Sequence, residues 1–191
     1  ALGPVDDFGF DAAILFSDLL FPLDVLGMGL SYDEGPKLSW HLNTREDLKI
    51  LVANPDPQLL AFQAKALQLT RKSLSPDKGL LGFVGGPLTL FLYATQGSHQ
   101  LKNKQASYAL PGSSSMQQTV RNFDSNLFYG FCDKLLDLLA QNMHSQAQAG
   151  ADCIAILDTA AGEYSADVFK EHVIAVLKKL LEKYISLQPL S

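Results

Sequence analysis

The chain is poor in arginine, in cysteine and in long apolar runs, and each scarcity excludes something. Arg45, Arg71 and Arg121 are its only arginines among 15 basic residues, and they are scattered. No cluster of guanidinium groups is available here for gripping anions in bidentate fashion. Acidic residues outnumber basic ones, 20 to 15, for a net charge of −5, which argues against a nucleic-acid partner. No apolar stretch approaches the roughly 18 residues that a membrane helix needs. No charged segment leads into an apolar one near the start, so a secretory leader is not expected and a cytoplasmic location is. The two cysteines, Cys132 and Cys153, match neither a disulfide framework nor a metal-ligand spacing, and read as buried reduced thiols. His41, His99, His144 and His172 show no H-x-E, H-x-C or H-E-x-x-H pattern, so no metal is expected from this chain. G-x-S-x-G, G-x-G-x-x-G and GK[ST] are all missing, which removes the hydrolase elbow and the common phosphate cradles.

What is present is an α/β rhythm. Three short, continuously apolar runs, Ala12–Phe16 (AAILF), Leu80–Val84 (LLGFV) and Cys153–Leu157 (CIAIL), read as parallel strands buried on both faces. Helical periodicity follows each. Pro55–Leu74 places Leu59, Leu60, Ala64, Leu67 and Thr70 on one stripe, with Asn54 as N-cap and Pro55 in the first turn. A second helix starts near Met116 and runs to Gln148, with Gly150 just past its end. The third spans Ala166–Leu187, capped by Ser165 and ending in a solvated lysine face of Lys178, Lys179 and Lys183. Strand and helix alternate three times, as in a parallel-sheet domain. Between them, Leu26–Trp40 is glycine-rich and reads as a hairpin excursion, and Ser98–Ser115 reads as a polar flap.

Each strand ends in small or polar residues: Ser17-Asp18, Gly85-Gly86-Pro87 and Asp158-Thr159. Asp18 then has two readings. It caps the following helix, or it projects into a site built at strand C-termini, where α/β folds place their chemistry. Asp11 and Asp24 read as ordinary surface or capping groups. The Gly-Gly-Pro turn reads as a place where backbone passes close to a ligand, and Tyr93, taken alone, as core.

Three segments together resemble the uroporphyrinogen decarboxylase family: DAAILFSDLLFPLDVLGMGL (Asp11–Leu30), GLLGFVGGPLTLFLYATQG (Gly79–Gly97) and QAGADCIAILDTAAGEYS (Gln148–Ser165). The resemblance implies a TIM (β/α)8 barrel, of which residues 1–191 form part of a single domain and about three βα units. It implies a carboxy-lyase of heme biosynthesis that removes CO2 from the four acetate side chains of uroporphyrinogen III to give coproporphyrinogen III. That family uses neither metal nor organic cofactor, and the resemblance suggests a homodimer. Carried over residue by residue, Asp18 is the catalytic aspartate facing the pyrrole N–H groups. Tyr93 is the substrate-binding tyrosine, and Thr159 is the hydroxyl residue at a substrate carboxylate. A fixed anion beneath the rings stabilises the cation formed when a pyrrole is protonated before CO2 leaves.

Some family elements have no counterpart here. The arginine segment R-Q-A-G-R-Y and a later histidine are missing, so the residues are expected to be an internal piece of a longer enzyme, inactive alone. The sequence departs from its relatives at Ala160–Gly162 and Gly85–Pro87. An alternative within the same superfamily is a zinc-dependent methyltransferase acting on corrinoid or thiol substrates. A third is a half-barrel that acts as a binding or assembly module.

Overall fold

A computed structural model describes residues 1–97 and 123–188. The expected flap, Ser98–Ser115, and the expected helix start at Met116 lie outside the described residues. Five strands are present among those described. β1 (Ala12–Ile14), β4 (Gly79–Gly85) and β5 (Cys153–Leu157) form a parallel sheet in the order β1-β4-β5. The remaining two, β2 (Leu30–Tyr32) and β3 (Pro36–Leu38), form the expected antiparallel hairpin. Strand and helix alternate as the periodicity predicts, with helices carrying the chain from each strand of the parallel sheet to the next.

The sheet's two faces differ. Register places Ala13 beside Leu80 and Ile14 beside Leu81, which in turn lies beside Cys153. The first row is sealed, with Ala13 and Leu80 packed on Leu67 of helix α3 (Ala61–Ser73). The second row is open: Ile14 and Cys153 are both exposed. Burial on both faces therefore holds for the central strand β4 alone. The expectation of two buried cysteines fails at Cys153, which begins the edge strand β5 on the open side. Cys132 is buried, and burial pushes its thiol well above the usual range.

The first strand stops at Ile14, two residues short of the expected Phe16. The odd-numbered residues of β4 turn their backbone groups toward β1, and Leu15 N–H still reaches Leu81 O at 3.2 Å. One step on, a side-chain amide takes the place of β1. Phe83 N–H donates to Gln146 Oε1 and Gln146 Nε2 donates to Phe83 O, both at 2.9 Å. With those groups satisfied, β1 has nothing left to pair with and turns away. Gly82 admits the intruding amide, since a Cβ there would overlap Gln146 Oε1.

Gln146 comes from the long helix α5 (Ser125–Gln148), capped by Asp124, whose Oδ1 accepts Leu127 N–H at 2.9 Å. Its buried stripe, including Leu127, Phe131, Leu135 and Leu139, forms the main core with helix α4 (Pro87–Gln96). Phe91 and Phe128 meet there edge to face at 5.2 Å.

The other expected helices form with altered ends. Pro57 drives Asp56 into an extended conformation, so Asp56, rather than Asn54, accepts Gln58 N–H and opens a 3-10 turn, Pro57–Leu60, ahead of α3. That turn rotates Leu59 outward while Leu60 and Leu67 stay buried. Ser165 caps the last helical stretch through Val168 N–H, as expected. A π turn, Phe169–Val173, then separates Ala166–Val168 from Ile174–Ser186. Lys179 and Lys183 pair with Asp133 and Asp137 in the exposed manner expected.

Candidate active site

Because β1, β4 and β5 are parallel, Asp18, the Gly85-Gly86-Pro87 turn and the Asp158-Thr159 pair all emerge at the same end of the sheet. Asp18 is half-buried and uses both oxygens. Oδ1 accepts Leu20 N–H at 2.7 Å, and Oδ2 accepts the Tyr32 hydroxyl at 2.9 Å. The capping reading is met only in a modified sense. Asp18 holds the turn before helix α2 (Phe21–Val25), while the N-cap residue is Leu20. An ionised carboxylate offers about four acceptor positions, so two filled ones leave both oxygens able to accept more.

Tyr32 belongs to the hairpin, a partner that nothing in the sequence spacing singles out. Desolvation, then the Asp18 hydrogen bond and the Asp18 and Asp24 charges, hold its phenol far above the ordinary tyrosine range. The phenol therefore remains a donor to Asp18 across the neutral range. Tyr93, on α4, is half-buried, and its phenol is raised by burial and by the negative charge of Asp18. Asp18, Tyr32 and Tyr93 thus share one electrostatic neighbourhood.

Thr159 joins a different cluster. Its hydroxyl lies 3.4 Å from Thr89 Oγ1. Thr89 in turn donates to Asp158 Oδ1 from its backbone N–H at 2.8 Å and from its hydroxyl at 2.6 Å. Thr89 Oγ1 also accepts Ala160 N–H at 2.9 Å. The N-cap residue of helix α4 is Gly86, which has no side chain to cap it. The carboxylate of Asp158, from the end of β5, supplies that cap across the sheet. The signal was available in principle: a helix opening on Gly-Pro must find its acceptor elsewhere. Burial raises the Asp158 carboxyl against the pull of its Thr89 hydrogen bonds, and its Oδ2 is buried with no hydrogen-bond partner among the described residues.

This cluster corrects the expectation that the Gly-Gly-Pro turn makes room for a ligand. A Cβ on Gly86 would sit 2.5 Å from the Asp158 Cβ, and one on Gly85 would sit 3.1 Å from Leu19 O. The glycines let the protein approach itself.

Asp24 accepts Leu30 N–H at 2.8 Å and ties α2 to the hairpin, and Asp11 faces Lys78 at 3.8 Å, both ordinary structural roles as expected. Among the described residues no group of three His, Cys, Asp or Glu side chains is disposed to hold a metal, and no helix is long and apolar enough to cross a membrane.

Known proteins resemble the chain along its whole length. The curated uroporphyrinogen decarboxylase of Syntrophotalea carbinolica is 31% identical over 183 residues, covering 94% of this chain and 49% of the relative. That of Pseudomonas putida F1 is 32% identical over 190 residues, covering 96% and 49%. The chain spans about half the length of the curated relatives it matches. Among solved structures, a methyltransferase from Methanosarcina mazei superposes with a TM-score of 0.69 at 19% identity, over 96% of this chain and 52% of that one, a likeness of fold. The family model described as Uroporphyrinogen decarboxylase (URO-D) matches residues 1–190, and the chain belongs to that family.

Proposed function

We propose that the chain forms part of the (β/α)8 barrel of a uroporphyrinogen decarboxylase and supplies the carboxylate on which its chemistry turns. The observation that carries this reading is Asp18 itself. It is an acid in the turn that follows the C-terminal end of β1, fixed through one oxygen by Leu20 N–H and through the other by Tyr32. Unused acceptor positions remain on it for the N–H groups of a macrocycle.

In this reading a proton adds to a pyrrole ring carbon, and the ring becomes cationic. The bond between an acetate methylene and its carboxylate then breaks, its electron pair flows toward the ring, and CO2 departs. The methylene carbon takes up a proton as the ring carbon gives one up, leaving a methyl group. Asp18 stays ionised throughout and stabilises the cation by hydrogen bonds and charge, a role commonly worth 10²–10³-fold in rate. Tyr93 and Thr159 orient carboxylates of the substrate. No metal or organic cofactor takes part, and the intact protein works as a cytoplasmic homodimer. Residues 1–191 alone, with three arginines facing a substrate of eight carboxylates, are expected to be inactive.

The structural likeness to a methyltransferase is one of fold, so it does not favour the zinc-dependent alternative. The deciding experiment incubates the intact protein with uroporphyrinogen III under anaerobic conditions, follows coproporphyrinogen III, and measures zinc in the same sample. Turnover without zinc supports the decarboxylase. A stoichiometric zinc ion without turnover supports the methyltransferase.

A further inference from the structure

Three buried amides run through the core without serving the site directly. Gln63 on α3 and Asn142 and Gln146 on α5 are 6%, 3% and 2% exposed. Burying an amide is costly unless its hydrogen bonds are met, and here they are met by one continuous chain. Gln146 engages both backbone groups of Phe83. Its Nε2 also donates to Asn142 Oδ1 at 3.3 Å. Asn142 Nδ2 donates to Gln63 Oε1 at 2.9 Å, and Gln63 Nε2 donates to Ser17 Oγ at 3.2 Å. Ser17 is the residue before Asp18.

The polarity of this chain is not arbitrary. A backbone N–H can only donate and a carbonyl can only accept, so Phe83 fixes which end of the Gln146 amide is oxygen. That choice forces Asn142 to accept with Oδ1 and donate with Nδ2. Gln63 must then present its nitrogen to Ser17. The Ser17 hydroxyl is made an acceptor, with its own proton directed elsewhere. Every link is specified by a strand backbone far from Asp18 in sequence.

The same chain also controls where β1 ends. Had β1 continued beside β4, Phe83 N–H and C=O would pair with it, and residues 16–18 would be held in the sheet. The Gln146 amide occupies those groups, releases the backbone after Ile14, and at its other end holds Ser17.

We infer that the Gln146–Asn142–Gln63 amide chain is a positioning device for Asp18. It detaches β1 from β4 at Phe83 and anchors the freed turn through Ser17, so that the carboxylate stands clear of the sheet within reach of Tyr32. The consequence for turnover rests on the catalytic role proposed above for Asp18; the consequence for geometry does not. A carboxylate displaced by about 1 Å from its productive position can lose on the order of 10²-fold in rate. The displacement acts on the chemical step rather than on substrate affinity, so loosening the chain lowers kcat more than it changes KM.

The test uses the intact protein and the variants Gln146→Leu, Gln63→Leu and Ser17→Ala, with Asp18→Asn as reference. A crystal structure of Gln146→Leu is expected to show Phe83 N–H paired to Leu15 O and the Asp18 carboxylate withdrawn from Tyr32. Ser17→Ala and Gln63→Leu are expected to lower kcat roughly 10-fold or more, with KM within about twofold and a folded, cooperatively melting protein. An unmoved Asp18 in the Gln146→Leu crystal overturns the inference, as does unchanged kcat in both of the other variants. If Gln146→Leu fails to fold, the crystal structure of Gln63→Leu reads the same displacement. If Asp18→Asn retains full turnover, the decarboxylase role of Asp18 falls, while the crystal structures still decide whether the amide chain places it.

Discussion

The Tyr32 hydroxyl donates to Asp18 Oδ2 across 2.9 Å, so the hairpin is tied to the carboxylate that follows β1. Tyr32 is 57% exposed, and Asp18 keeps a second restraint in Leu20 N–H. Replacing Tyr32 by Phe is therefore expected to cost less than about 1 kcal/mol of stability. It is expected to lower kcat less than about tenfold in the intact enzyme, because the Leu20 N–H anchor and the Gln63–Ser17 link that sets the turn both survive. Thermal melting and steady-state kinetics on the same preparation check both figures. A loss as deep as that of an Asp18 variant would give Tyr32 a larger part than the geometry assigns to it.

The Gly86–Asp158 approach makes a sharper stability prediction. Gly86→Ala drives a methyl group into the Asp158 side chain and disturbs the cap of α4, so about 1–3 kcal/mol should be lost. Gly162→Ala meets open space and is expected to change stability by less than about 0.5 kcal/mol. Denaturant unfolding of the two variants side by side tests the contrast.

Asp158 also predicts a pH dependence. Burial raises its carboxyl above the unfolded value of about 3.9, so the folded protein holds this proton more tightly than the unfolded chain does. The contribution to stability is full below the unfolded value and declines as pH rises through the folded one. The difference in unfolding free energy between the parent and Asp158→Ala should therefore be larger near pH 4 than at pH 7. A difference that grows with pH would mean that the hydrogen bonds from Thr89 outweigh burial.

How far the fold was legible depends on how local each determinant is. The three parallel strands, the hairpin and the cap at Ser165 are written in short stretches: apolar runs, glycine-rich turns and a polar residue before a helix. The cap at Asp124 is not among them, because the periodicity points to a helix start near Met116. The early end of β1 is not, because the amide that displaces it comes from Gln146, on a helix more than a hundred residues away. For the same reason the cap of α4 was only half legible: Gly-Pro shows that an acceptor must come from elsewhere, but not that Asp158 reaches it from another strand. Exposure of Cys153 follows from strand order, which no local pattern encodes. Asp18 was legible as an acid following a strand, and the family resemblance suggested a role for it. Its hydrogen bond to Tyr32 depends on how the hairpin folds back.

The most direct test is turnover of uroporphyrinogen III by the intact protein carrying Asp18→Asn, a change that keeps the shape and removes the charge. The account predicts a fall in kcat of about 10²–10³-fold with the fold intact. Decarboxylation at the parent rate in a folded Asp18→Asn protein would contradict it.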